Sequence, residues 1–448
     1  MNPSSDKKFD IASKKGLAAR YLAFKSLKDL SLKMLPTDRL WLIAEKYNVP
    51  IRERSFAYDL LSGTIKRRAT LDFFIEKFSK RRAQQIDSDV LDILRFGFYQ
   101  LLYEDSVPDF AAVDTSCELA HLIIGKKPVG FVNAVLRNFQ REATGQNRSD
   151  MVTISLSNIT DYYKSMEIYY SYPVWLIKRW LGRWDEGTVR EILEAGNCRP
   201  AMTVRPNLLR ISGEKLAVIL AEQGCEVKTR ENGMLELVSH PPISELKAFA
   251  DGLFQVQDTT AGEVVQKMEL KAGMKILDLC AGLGTKTTQL AECLGDRAEI
   301  TASDTIISKF SKLEKNAERL GIKSIRTSKI NDLSAAMFDW VLLDVPCSNT
   351  GVFDRRPEAR WRLKESDFTT YSKQSIELLN QAEKLLNANG RIAFSTCSID
   401  EEEDERVISK FCESNNWQIA KEHLQLPKID AESHRTVRTG GYWAILER

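Results

Sequence analysis

Apolar residues recur at intervals of three and four over most of the first 143 positions. In LAARYLAFKSLKDL (17–30), Leu17, Tyr21, Phe24 and Leu27 fall on one helical face, and in VLDILRFGFYQLLY (90–103), Val90, Leu94, Phe98 and Leu101 do the same. RSFAYDLLSGTIKRR and FVNAVLRNFQRE repeat the pattern. Such stripes need partner helices, so the segment predicts an all-α bundle. The polar run TGQNRSD (144–150) predicts a linker. Residues 160–196 are again amphipathic and rich in Trp and Tyr, with Trp175, Trp180 and Trp184 at a spacing that suits a core better than a base-stacking surface. From 200 to 250, short β-like runs (AMTVRP, LELVSH) alternate with the helix-like GEKLAVILAEQG, which predicts a small α+β module. Beyond about 253 the strand-like MKILDLC, AEITASD, FDWVLLDVPC and GRIAFSTCS alternate with helical stretches, predicting a parallel sheet with helices on both faces. The expected division is a helical domain over 1–145, linker helices and a small module over 150–250, and an α/β domain over 251–448.

A chain of 448 residues, 43% of them apolar, is too long for one core and fits this multidomain reading. Its eight cysteines include no CxxC pair, which argues against a disulfide framework or a structural zinc site. MNPSSDKKFD lacks the apolar core of a signal peptide, and no window approaches a membrane span, so the expected location is the cytoplasm. The net charge of +2 conceals an asymmetry: residues 1–150 carry 25 Lys and Arg against 19 Asp and Glu, the remainder 39 against 43. Basic runs at 66–68, 80–82 and 125–127 suit either phosphate contact or a solvated helix face.

Candidate chemistry gathers where the strands of the last domain end, the usual ligand site of an open α/β sheet. Gly282 and Gly284 follow the first strand, where small residues let backbone approach a ligand. Asp304 ends the second strand about 20 residues on, the spacing at which a carboxylate accepts ribose hydroxyls. Without a GxxxxGK[ST] sequence, this combination favours an adenosine-containing cofactor of low negative charge. Two further strands end in Asp344-Val345-Pro346-Cys347 and Ser395-Thr396-Cys397, which brings two thiols and a carboxylate to one cleft, the composition needed for covalent attack on a pyrimidine. The carboxylates at 401–405 read equally as a helix N-terminus favoured by its dipole or as part of that site.

These segments resemble the RNA 5-methylcytosine methyltransferases, S-adenosylmethionine enzymes of the NOL1/NOP2/Sun family, and in particular the bacterial members that act on small-subunit ribosomal RNA. LLDVPCSNTGVFDRRPEARW and FSTCSIDEEEDE carry the resemblance most specifically; SFAYDLLSGTIKR, LRFGFYQLLY and FVNAVLRNF resemble a NusB-type helical domain, and NCRPAMTVRPN a small middle domain. The resemblance implies a Rossmann-like methyltransferase domain behind the helical bundle and the α+β module. It implies that Cys397 attacks C6 of cytosine, that Cys347 assists release of the methylated base, that Asp344 hydrogen-bonds the ring, and that Lys286 supports them. Cys280, Ala281, Gly282, Leu283, Gly284, Thr285 and Lys286 would form the cofactor loop, Asp304 would take the ribose, and Asp332 and Asp344 would complete the S-adenosylmethionine site. No metal and no membrane are implied; the expected partner is small-subunit ribosomal RNA and the expected state a monomer. The usual Ala-Ala-Pro-Gly-Gly-Lys-Thr loop here reads Ala281-Gly282-Leu283-Gly284-Thr285-Lys286-Thr287. The same chemistry on transfer RNA or large-subunit RNA is one rival, and a non-catalytic RNA-binding assembly factor is another.

Overall fold

The computed structural model describes residues 16–27, 35–333, 335 and 337–448. The N-terminal decapeptide and the end of the first expected helix, 28–30, lie outside them. By its packing the chain forms two units: one runs to Asn197 and takes in Arg360–Arg362, the other comprises Cys198–Ala359 and Leu363–Arg448.

The first unit is helical, as the period of three and four predicts. Its bundle comprises Ala18–Leu27, Pro36–Lys46, Ile51–Lys66, Arg68–Ser79, Ser88–Tyr103, Asp109–Ile123 and Val129–Ala143. Asp87 caps the fifth of these by accepting the backbone N–H groups of Asp89 and Val90. From that helix Val90, Leu94, Phe98 and Leu101 all enter the core, where Phe74, Phe98 and Phe139 meet with centroids 5.3–6.3 Å apart. The run TGQNRSD is only partly a linker, because a helix starts at Arg148. Helices Tyr162–Tyr170, Val174–Leu181 and Glu186–Ala195 belong to this unit. Thr70 donates its hydroxyl to the Ile168 carbonyl at 2.5 Å, and Ser171 accepts the Ala69 N–H at 2.9 Å. Trp180 is fully buried against Tyr172, a core residue as its spacing suggests.

Packing absorbs much of the first basic run. Lys66 is buried, Arg67 lies over the Tyr103 ring and Arg68 over that of Trp361, whereas Lys80, Arg81, Arg82, Lys126 and Lys127 are exposed. Residues 360–362 complete the unit: the Arg360 guanidinium stacks 3.8 Å from the Tyr172 centroid and donates to Asn197 Oδ1 and the Gly196 carbonyl, both at 2.8 Å. The Trp361 indole donates to the Ile65 carbonyl at 2.8 Å.

In the second unit, four antiparallel strands ordered Glu226–Thr229, Leu235–Ser239, Met202–Pro206 and Phe254–Val256 form the small module, its core built from Val204, Leu216, Leu220, Leu237 and Phe254. Buried Arg205 joins this module to the following domain through a two-pronged ion pair with Glu292, at 2.7 and 2.8 Å. The large sheet has seven strands, ordered Gln418–Gln425, Gly441–Glu447, Leu386–Thr396, Phe338–Asp344, Lys275–Asp278, Glu299–Ala302 and Ile325–Thr327. Six of them run in one direction. The expected parallel sheet is present with one exception, Gly441–Glu447, which inserts next to the edge strand and antiparallel to both its neighbours. Residues 426–440, which connect Gln418–Gln425 to this strand, contain no helix, and a return without a helical crossover leaves antiparallel pairing open. No helix among the described residues is long and apolar enough to cross a membrane.

Candidate active site

Strands Phe338–Asp344 and Leu386–Thr396 are parallel neighbours with Asp344 opposite Ser395, so the chain beyond each emerges side by side. This register brings Cys347 Sγ and Cys397 Sγ to 3.1 Å. The two thiols are not equivalent. Cys347 is buried, whereas Cys397 is partly exposed and lines a cleft of about 290 Å³, at the small end of the range for small-molecule sites. The Cys397 thiol faces Asn349 Oδ1 at 3.3 Å, and Asn349, at φ 65°, donates Nδ2 to the Cys347 carbonyl at 2.9 Å. Hydrogen bonding to Cys397, burial and the neighbouring Glu403 charge hold the Cys347 thiol well above its usual pKa, so it stays protonated.

Asp344 and Lys286 line the same cleft, their charged groups 2.6 Å apart, and Ser395 Oγ donates to the other Asp344 oxygen at 2.9 Å. Burial is the strongest single influence and works against the Lys286 charge, but the attraction and hydrogen bond of Asp344, joined by the Cys397 and Asp278 charges, together raise the lysine pKa. A second ion pair on the cleft wall joins Arg355 to Asp258 at 2.9 Å, with Thr439 donating to Asp258 at 2.7 Å. Arg356 is the remaining lining cation, and its guanidinium has no ion-pair partner among the described residues.

The loop 280–286 turns from the strand Lys275–Asp278 into helix Thr285–Cys293. Gly284 sits at φ 83°, and a Cβ there would lie 2.5 Å from Leu313, so the position requires glycine on two counts. Asp304 accepts the Gly282 N–H at 2.9 Å and the Ile306 N–H at 2.8 Å, and it pairs with Lys309 at 3.0 Å. The exposed apolar side chains of Leu283, Ile306 and Ile307 stand on these same loops. A carboxylate facing a glycine loop, beside apolar side chains and carrying no phosphate grip, is a donor set that fits an adenosine cofactor. Burial pushes the Cys280 thiol up, and Asp332 lies exposed on the short turn Ile330–Asp332. Among the described residues no group of three or more His, Cys, Asp or Glu is placed to hold a metal ion.

Sequence reasoning missed one carboxylate and left two undecided. Asp278, fully buried at its strand end, accepts Thr287 Oγ1 at 2.7 Å, and burial raises its pKa to about 7. The block 401–405, read equally as a helix N-terminus or as part of the site, does precede helix Glu405–Asn415, but Glu403 and Asp404 within it are wholly buried. Glu403 accepts the Ser348 N–H at 3.0 Å and hydroxyl at 2.5 Å; Asp404 accepts Thr396 Oγ1 at 2.5 Å. Burial lifts Glu403 to about 7 and Asp404 well above the carboxylate range. A carboxyl raised on folding binds more protons folded than unfolded, so its contribution to stability falls as pH rises from about 4 to about 7. In thermal melts across that window, Asp278→Asn should therefore lose less stability with rising pH than the parent does.

The 16S rRNA methyltransferase RsmB/F family model matches residues 265–439, the NusB family model residues 17–141, and the ferredoxin-like domain model of RsmF/B-type methyltransferases residues 172–238. The probable ribosomal RNA small subunit methyltransferase B of Synechocystis is 31% identical over 90% of this chain and 90% of its own. Ribosomal RNA small subunit methyltransferase B of Klebsiella pneumoniae is 30% identical over 86% and 90%. The crystal structure of the protein PH0851, 22% identical, covers 96% of this chain and 98% of its own with a TM-score of 0.76, a likeness of fold. The chain belongs to the 16S rRNA methyltransferase RsmB/F family, and is a methyltransferase that carries a NusB helical domain and a ferredoxin-like module.

Proposed function

We propose that the protein transfers a methyl group from S-adenosylmethionine to C5 of a cytosine in small-subunit ribosomal RNA, through a covalent bond between Cys397 and C6. The observation that carries this reading is the pair of thiols 3.1 Å apart, only one of which faces the cleft that also holds Asp344 and Lys286. The curated relatives named as small-subunit methyltransferases support the choice of RNA.

Cytosine C5 is a weak nucleophile. Addition of the Cys397 thiolate to C6 turns the ring into an enamine, and the pair of electrons released reaches C5. S-adenosylmethionine, when bound, supplies a methyl group on a positively charged sulfur for that carbon to take. Asp344, oriented by Lys286 and Ser395, accepts the exocyclic amine and holds at N3 the proton that the Cys397 thiol gives up, while charge develops in the ring. With Cys397 bonded to C6, the hydrogen bond and charge that hold the Cys347 proton are gone; Cys347 passes that proton to solvent and as thiolate takes the C5 proton, and the C–H electrons restore the C5–C6 double bond and expel Cys397 as thiolate. The loop 280–286 would hold the methionine part of the cofactor, with Asp304 on the ribose once Lys309 swings out and Asp332 towards the adenine. Access to C6 requires the base to leave its stack.

Two measurements test this. Bisulfite sequencing of ribosomal RNA from cells with and without the gene should show one small-subunit cytosine losing protection; loss in transfer or large-subunit RNA instead would move the substrate, and no loss anywhere would leave a non-catalytic RNA binder. Arg356→Ala should raise the KM for RNA by roughly fivefold or more while leaving that for S-adenosylmethionine unchanged, as expected of a phosphate contact.

A further inference from the structure

The two thiol loops rest on different buried carboxyls. Glu403 turns both its oxygens to Ser348, the residue after Cys347, through the backbone N–H at 3.0 Å and the hydroxyl at 2.5 Å, with a further side-chain hydrogen bond to Ser398, whose hydroxyl lies 3.4 Å from that of Ser348. Asp404 bonds instead to Thr396, the residue before Cys397, at 2.5 Å, and Thr396 Oγ1 in turn accepts the Ser398 N–H at 3.1 Å, so that Cys397 is gripped from both sides. Both carboxyls are wholly buried, and the Asp404 side chain makes no capping bond to the helix that follows it. Isolating two carboxyls from water is costly unless their geometry is used, and neither helix start nor surface explains their aim.

We propose that Glu403 and Asp404 are positioning residues with separate duties, Glu403 setting Cys347 for release of the base and Asp404 setting Cys397 for attack. The inference rests on the division of labour between the thiols proposed above. Removal of one carboxyl then damages one half-reaction. Glu403→Ala should behave as a muted Cys347→Ala, building up a covalent RNA adduct in the presence of S-adenosylmethionine. Asp404→Ala should form adduct slowly and accumulate none.

The test is a denaturing gel of each variant incubated with S-adenosylmethionine and a small-subunit RNA transcript, with Cys347→Ala and Cys397→Ala alongside. Loss of one buried bond to a carboxyl should change the steady adduct level by roughly ten- to a hundredfold, upward for Glu403→Ala and downward for Asp404→Ala. Glu403→Gln and Asp404→Asn, which keep an acceptor at each position, should restore turnover to near the parent level. If an alanine variant does not fold, Ser348→Ala and Thr396→Ala cut the same bonds from the other end and should give the same two opposite outcomes. Equal adduct levels in the Glu403 and Asp404 variants, with the cysteine controls behaving as expected, overturn the proposal. A Cys347→Ala control that traps nothing overturns the thiol assignment itself, and this inference with it.

Discussion

Cys347→Ala is expected to give an enzyme that bonds to its RNA and does not let go. Its partner thiol, 3.1 Å away and facing the cleft, remains able to attack C6, while the buried group placed to help the C5 proton leave is gone. Cys397→Ala should lose turnover by at least about four orders of magnitude, the loss seen when a covalent nucleophile is removed from a catalytic unit, and should yield no adduct. A denaturing gel of enzyme, labelled RNA and S-adenosylmethionine separates the two outcomes. Identical behaviour of the variants would abolish the distinction between attacking and releasing thiol. The distinction has a physical basis in their surroundings, because Cys347 is kept protonated by its bond to the other sulfur and by burial, and a protonated thiol makes a poor nucleophile.

The Lys286–Asp344 pair carries the second large effect. Asp344→Asn should lower the single-turnover rate of methyl transfer by roughly a hundred- to a thousandfold, the usual consequence of losing an electrostatic group aimed at developing charge. Lys286→Met should cost nearly as much, because Asp344 is then left with Ser395 as its one remaining partner among the described contacts. With the two groups acting as a unit, the double variant should fall little further than either single one. A double variant whose loss is the product of the two single losses would show that they serve separate steps. The sign of the lysine shift fixes the pH behaviour: a folded pKa raised above the unfolded value means that the pair's stabilisation is complete at neutral pH and is lost only above the ordinary lysine range.

Much of this architecture is written in local periodicity. The helical stripes at 90–103 and the alternation of strand and helix after 253 each follow from which faces must be buried, and the strand ends at Asp344 and Cys397 follow from the same pattern. What the pattern cannot express is pairing between distant segments. The antiparallel strand Gly441–Glu447 contains GYWAIL, which has a buried strand's composition without any mark of direction. Glu403 and Asp404 sit in a block of carboxylates whose outer members are partly exposed, with Glu401 paired to Arg406 at 2.5 Å. Nothing in one sequence separates the inner two from the rest, because their burial depends on Ser348 and Thr396 arriving from other strands. Lys309 escaped notice for a similar reason: it lies five residues beyond Asp304, in a stretch that reads as the polar face of a helix.

The seating of Arg360 and Trp361 among the helices of the first unit bears on how the chain is made. The bond from Trp361 to the Ile65 carbonyl spans 296 positions, and the contacts of Arg360 reach back to Gly196 and Asn197. During synthesis the first 197 residues emerge long before the segment that finishes their packing. At about 5–20 residues per second, that wait lasts on the order of ten to thirty seconds. Through that interval Tyr172 lacks the guanidinium that stacks on it and the Ile65 carbonyl its indole donor, so these last contacts of the helical unit are timed by translation of the chain that follows it.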